Sequence, residues 1–133
     1  MSDKSVMSRP VGVRLDQPAK PGEIDHPRAD RLEQGNPRRE TWTLYESADG
    51  QTNVGIWACD VGRWRIVFPP GKEEYFFVLE GHVRLHDTLG GFVDVTAGRG
   101  AVIPGGFEGA FEVIHPVRKH FVVVERRAVP NTA

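Results

Sequence analysis

Beyond residue 40 the chain is made of short runs rich in valine, isoleucine and aromatic residues, and glycine or proline interrupts them at intervals of roughly eight to twelve residues. Runs so short and so evenly punctuated can form the strands of a sandwich or barrel, but they cannot form helices long enough to bury a face. The runs are Thr41–Glu46, Asn53–Ala58, Trp64–Phe68, Tyr75–Glu80, His82–His86, Phe92–Val95, Ala101–Ile103, Ala110–Ile114 and His120–Val124. Asp49-Gly50 and Gly90-Gly91 supply hairpin-type turns between them. The fold class expected is therefore all-β.

All twelve aromatic residues lie beyond residue 40, whereas five of the ten prolines fall within the first forty. Proline removes an amide donor and pushes its predecessor toward extended shapes, so residues 1–40 read as an extended N-terminal arm. Residues 41–127 then form the folded domain and 128–133 a C-terminal tail. The arm is either a leader without a role or a segment that lies across a neighbouring subunit. A length of 133 residues suits one domain.

Seventeen basic against eighteen acidic residues leave a formal charge of −1, which gives no broad basic face for nucleic acid. No uninterrupted apolar stretch is long enough to span a bilayer, and the opening MSDKSVMSRP lacks the apolar run of a secretory signal. A cytoplasmic location with no membrane partner is expected. The single Cys59 cannot form an intramolecular disulfide, which agrees with a reducing compartment.

Successive strand side chains point to opposite faces, so alternation assigns them. In His82-Val83-Arg84-Leu85-His86, Val83 and Leu85 face the core, and His82, Arg84 and His86 meet solvent, which makes both histidines poor ligands. Trp64, Ile66 and Phe68 share a face opposite Arg63 and Arg65. Phe111, Val113 and His115 share a face opposite Glu112 and Ile114. Tyr75-Phe76-Phe77-Val78-Leu79 has no polar position, so this strand is expected to be buried on both faces, beneath the arm or a second subunit. A two-fold homodimer follows as the expected assembly.

Two segments stand out: Gly62 through Phe68, Pro70, Glu74 and Gly81, and Gly98 through Pro104 and Gly106 to Gly109. Gly81 and Gly98 sit where tight turns favour positive φ, and Pro104 ends a run without needing a ladder donor. Gly62, Glu74 and Gly81 match the first motif of the cupin superfamily in register, and Gly98, Pro104 and Gly106 match the second. The chain resembles that superfamily over roughly Thr41 to Arg126. Trp64 and the closing Val117-Arg118-Lys119-His120-Phe121 are similar to the small single-domain cupins related to ureidoglycine aminohydrolase. The resemblance implies a double-stranded β-helix, a jelly-roll barrel whose open end holds a small ligand, usually on a metal.

The resemblance also implies where that metal's ligands fall. The first-motif histidine positions are Phe68 and Pro70, the second-motif histidine position is Gly109, and only Glu74 remains. One carboxylate does not close a divalent site. Glu73, Glu108, His115 and His120 lack the spacing to replace the missing ligands, so neither metal nor other cofactor is expected.

Glu74, pointing by the family's geometry into the barrel, is the candidate general acid or base. Its alternative is a solvated carboxylate or a pair with Arg63 or Arg65. Trp64, Phe68, Phe76 and Phe111 are candidate pocket walls, although core packing alone accounts for aromatics in a barrel. His115 is a candidate proton carrier at the rim, or else a satisfied strand-end histidine before Pro116. Cys59 reads as a small buried residue, and Arg118-Lys119-His120 as a solvated strand start, with an anion subsite as its alternative. Aromatic walls with one carboxylate suit a small polar metabolite that is cationic or carries an amide, while anions lack a partner. Glu74→Gln should then leave the melting temperature nearly unchanged or slightly raised. The alternative function is an enzyme on small nitrogen-containing metabolites, similar to ureidoglycine aminohydrolase, acting through Glu74 with an unusual metal or none.

Overall fold

In the computed structural model, residues 9–127 are described and contain nine strands and one short 3-10 turn. The strands are β1 (Glu23–Asp25), β2 (Leu32–Gln34), β3 (Arg39–Glu46), β4 (Thr52–Cys59), β5 (Gly62–Val67), β6 (Lys72–Asp87), β7 (Phe92–Thr96), β8 (Gly100–Ile103) and β9 (Glu108–Glu125), with the turn at Ala29–Arg31. Among the described residues no helix is long and apolar enough to cross a membrane.

The architecture hangs on β6 and β9, which pair antiparallel from Lys72↔Glu125 to Asp87↔Gly109. Each long strand serves two sheets. The first half of β6 also pairs with β8, and the second half of β9 with β4, which carries β3 and β1. The second half of β6 pairs with β7, and the first half of β9 with β5, which carries β2. The inner faces meet in a core that includes Phe76, Val78, Val83, Leu85, Val95, Ile103, Phe111 and Val113. The result is the all-β curled sheet of a jelly-roll barrel.

Two breaks expected from the sequence are absent. Tyr75–Glu80 and His82–His86 belong to one strand, and Ala110–Ile114 and His120–Val124 to another that runs through Pro116. The pairing register shifts between Val78 and Val83, so Gly81 and Pro116 face each other where the ladder is already irregular. A missing proline donor is harmless at such a place. Gly81 has φ +94°, and a Cβ on it would lie 2.2 Å from the Pro116 carbonyl oxygen. The two residues thus make a corner rather than an end.

Within one chain the outer face of the stretch from Tyr75 to Leu79 stays partly exposed. Phe76 and Val78 are fully buried, but Tyr75 is 47% exposed on the outer face of the sheet.

The proline-rich N-terminal stretch is held on the chain's own barrel. β1 pairs with β3, β2 pairs with β5, and the residues between them bridge the edges of the two sheets. Pro27 and Pro37 are buried, and the Trp42 indole N–H donates to the Lys20 carbonyl at 2.9 Å.

Gly81→Ala is expected to lower the unfolding free energy by more than the roughly 1–2 kcal/mol that positive φ alone costs an L-residue. Gly98→Ala is the control, because its φ is +86° but a Cβ there would meet nothing within 4 Å. Urea unfolding of both variants checks this, and equal losses would show that the Gly81–Pro116 approach does not matter.

Candidate functional site

A cavity of about 390 Å³ opens between the two sheets under the bridging segment. Each wall comes from strand alternation. β5 turns Trp64 and Ile66 inward, β4 contributes Trp57, and β9 contributes Phe111, Lys119 and Phe121. Phe68, just past β5, and Glu74 of β6 complete the inner surface.

The floor is an ion pair. Lys119 Nζ donates to Glu74 Oε2 at 2.7 Å, and the two side chains are 5% and 12% exposed. In the β6–β9 ladder Lys119 stands opposite Val78 and Glu74 opposite Val123, so the two side chains reach toward each other along the sheet. The ammonium passes over Phe76, with Nζ 4.3 Å from that ring's centroid, 4.5 Å from Trp57 and 4.8 Å from Phe111. A charge out of water must be paired and surrounded by compensating dipoles. One carboxylate and three π-faces supply that here. Among the described residues no buried side-chain nitrogen or oxygen lacks a hydrogen-bond partner.

The aromatic wall is continuous. Trp64 and Phe111 centroids lie 5.3 Å apart, Trp57 meets Phe111 edge-on at 5.7 Å, and Phe76 meets Phe111 at 5.9 Å. Above it stands a basic rim of Arg28 and Arg31 from the bridging segment, Arg39 from β3, Arg65 from β5 and Lys72 from β6. Arg39 grips Asp25 with two bonds of 2.8 Å and lies over Trp64, while Lys72 lies over Phe68. Arg28 pairs with Asp30 and holds its carboxyl below the ordinary range, mainly through their hydrogen bond.

The candidate residues therefore separate. Glu74, Trp64, Phe68 and Phe111 border the cavity; Phe76 lies beneath the ion pair, fully buried. His115 does not join them: it is exposed, with its ring 6.0 Å from that of His82. Nor do His82 and His86 simply meet solvent, since His82 binds Asp94 at 2.7 Å and His86 binds Glu112 at 2.8 Å. The Asp94 carboxyl is held low by hydrogen bonds from Arg84 and His82. Cys59 is 4% exposed, and burial pushes its thiol up to about 12, which leaves it inert as a nucleophile.

Three expectations need correction. Arg118-Lys119-His120 is not a strand start but the middle of β9, and Lys119 is buried. The partner of Glu74 is Lys119 rather than Arg63 or Arg65; Arg63 instead holds Glu33 at 2.7 Å. Anions do not lack partners, because six cationic side chains border the cavity against two carboxylates, Asp25 and Glu74. The signal for Lys119 was present in the alternation of Val117, Lys119 and Phe121, whose apolar members place the lysine on the core face. No local signal marks Arg28, Arg31 or Arg39, which arrive through long-range strand pairing.

The residues present do not fit a divalent metal. Glu74 is occupied by an ammonium, Phe68 is packed in the core, and a Cβ at Gly109 would lie 1.9 Å from the His86 carbonyl oxygen, so no histidine fits there without a backbone shift. Among the described residues no three histidine, cysteine or acidic side chains converge as a metal would require.

A curled all-β sheet with a ligand-sized cavity at the open end, and Glu74 turned into it, defines a cupin barrel. Residues 46–121 match the EutQ-like cupin domain, and the chain belongs to that family. The barrel is similar to a Pseudomonas syringae pv. tomato protein of unknown function, with a TM-score of 0.73 and 22% identity over 83% of this chain. This chain spans about half of that protein, 46% of its length. It is also similar to the Clostridium difficile EutQ protein, with a TM-score of 0.59 and 21% identity over 73% of this chain and 77% of that one. A cupin superfamily protein of Desulfitobacterium hafniense gives a TM-score of 0.54 and 11% identity over 66% and 78% of the two chains. No curated protein sequence matches the chain.

The ion pair reverses the stability expected of Glu74→Gln. Breaking a buried pair strands the other charge, so Glu74→Gln and Lys119→Met are each expected to cost about 3–5 kcal/mol. The double variant should lose clearly less than the two singles together. Additive losses in chemical denaturation would show that the two side chains do not depend on each other.

Proposed function

We propose that this chain binds a small polar metabolite in the mouth of its barrel without a transition metal. The observation that carries this reading is the Glu74–Lys119 pair at the floor of the cavity. In this arrangement the glutamate that would hold a metal in related barrels holds the protein's own ammonium. The floor is then neutral in sum yet strongly polar, with further Lys119 N–H groups to offer a ligand, and the aromatic walls supply contact area. A second reading, a metal-free enzyme on small nitrogen-containing metabolites, draws on the same pair, since an ammonium and a carboxylate in contact are a donor and an acceptor for proton transfer.

Two of the three tryptophans, Trp57 and Trp64, border the cavity, so a metabolite that enters it should change the intrinsic fluorescence saturably and raise the melting temperature. A thermal-shift and fluorescence screen of polar metabolites, run beside metal analysis of protein purified without chelator, tests the reading. The expected result is at least one saturable ligand, no stoichiometric transition metal and no effect of EDTA. An ion bound to Glu74 in stoichiometric amount would overturn it. Turnover of a bound metabolite, abolished in Glu74→Gln, would promote the second reading.

For assembly we propose a two-fold homodimer through the outer face of the first sheet. Tyr45, Val54, Val122, Tyr75 and Val102 stand in register across five strands, and Tyr45, Tyr75 and Val102 are 43%, 47% and 56% exposed. Such a stripe complements itself when a second copy is turned by a half rotation, and a second copy removes it from water. Light scattering is expected to give a dimer mass that Val102→Asp reduces to a monomer. A monomer mass for the unaltered chain would reject this.

A further inference from the structure

The rim of the cavity has a composition that the floor does not explain. The whole chain carries a net charge of −1, yet Arg28, Arg31, Arg39, Arg65, Lys72 and Lys119 border this one opening against Asp25 and Glu74. Both carboxylates are already engaged, Asp25 by Arg39 and Glu74 by Lys119. Arg28 has an exposed partner in Asp30. Among the described residues no carboxylate lies within 4.0 Å of the charged groups of Arg31, Arg65 or Lys72. These three come from the bridging segment, from β5 and from β6, so they are not one solvated face of a single element. The fold gathers them.

Like charges brought to one concave, aromatic-walled opening repel one another and create a local positive potential that draws in anions. Resting on the reading of the cavity as a metabolite site, we propose that its ligand is a small organic anion with a planar or apolar body. The anionic group, a carboxylate or a phosphate, is held at the rim by Arg31, Arg65 and Lys72. The body reaches inward between Trp57, Trp64 and Phe111, toward the Lys119–Glu74 floor. The floor cannot itself be the anion site, because Glu74 neutralises Lys119 and would repel a second carboxylate. Charge selection at the rim and shape selection at the wall are thus separate, and each can be removed alone.

The experiment compares benzoate, phenyl phosphate and the neutral isostere benzamide, by titration calorimetry and tryptophan fluorescence on the full chain. At low salt at least one of the two acids is expected to bind more tightly than benzamide, and raising the salt should weaken the acid but not the amide. Arg65→Gln and Lys72→Gln change side chains that are exposed or half-buried, so the barrel is expected to remain folded. Each should weaken the acid by roughly tenfold or more, the loss that follows removal of one charge-assisted hydrogen bond, and leave benzamide unchanged. Whichever acid binds more tightly identifies the anionic group as carboxylate or phosphate. Benzamide binding as tightly as both acids, or acids unaffected by either rim variant, would overturn the charge assignment while leaving the metabolite reading intact. If no probe, charged or neutral, changes the fluorescence or gives heat, the assignment of an anion with a planar body is overturned, while the metabolite reading is decided by its own screen.

Discussion

The antiparallel ladder between β6 and β9 is the constraint on which the rest depends. It belongs to both sheets at once: β4, β5, β7 and β8 are added to its edges, and β3, β1 and β2 are carried by β4 and β5 in turn. Because strand side chains alternate, the register of this ladder decides which residues enter the barrel. A slip of one residue would turn His120 inward and Lys119 outward, and Glu74 would lose its partner. The Gly81–Pro116 corner fixes that register where the strands pass from one sheet to the other, since only a residue without Cβ tolerates the approach of the Pro116 carbonyl.

Stability does not account for what the ladder places inside. Taking a lysine and a glutamate out of water costs more than their attraction usually returns, and well-packed apolar residues in the same volume would serve the barrel as well or better. The pair survives burial because three aromatic faces receive the ammonium and the carboxylate receives a hydrogen bond. Its position explains why the histidine positions of the motifs can be Phe68, Pro70 and Gly109. Once an internal cation satisfies Glu74, no charge at that point calls for a metal, and the space is free for packing.

The fold was legible because it is written in local signals: β-branched runs, glycine turns at Gly50, Gly90 and Gly98, the corner at Gly81, and the spacing of the two motifs. All four glycines adopt positive φ. Strand ends were less legible, since glycine and proline mark both breaks and bulges, and only pairing distinguishes them. Within the site, Glu74 follows from its place in the first cupin motif, and Trp64, Phe68 and Phe111 from parity along single strands. Lys119 was hidden by its neighbours Arg118 and His120, which make a charged cluster of what is an inward-facing position between Val117 and Phe121. The rim was invisible because Arg28 and Arg31 reach it only through the pairing of β1 with β3 and β2 with β5.

That pairing gives the proline-rich segment its place in the site. Arg28 and Arg31 lie between two strands too short to hold independently, so their position depends on the contacts at either end. Pro27, buried against the cavity, is one anchor, and the two-bond grip of Arg39 on Asp25 is another. Closing the segment brings its two arginines beside Arg39, Arg65 and Lys72, which opposes closure by repulsion, while burial of Pro27 and the added ladder bonds favour it. An anion held at the rim, as proposed, would remove the opposing part without altering the favourable part. On the proposal of an anionic ligand, occupancy of the rim and docking of the segment would be coupled, each strengthening the other by linkage.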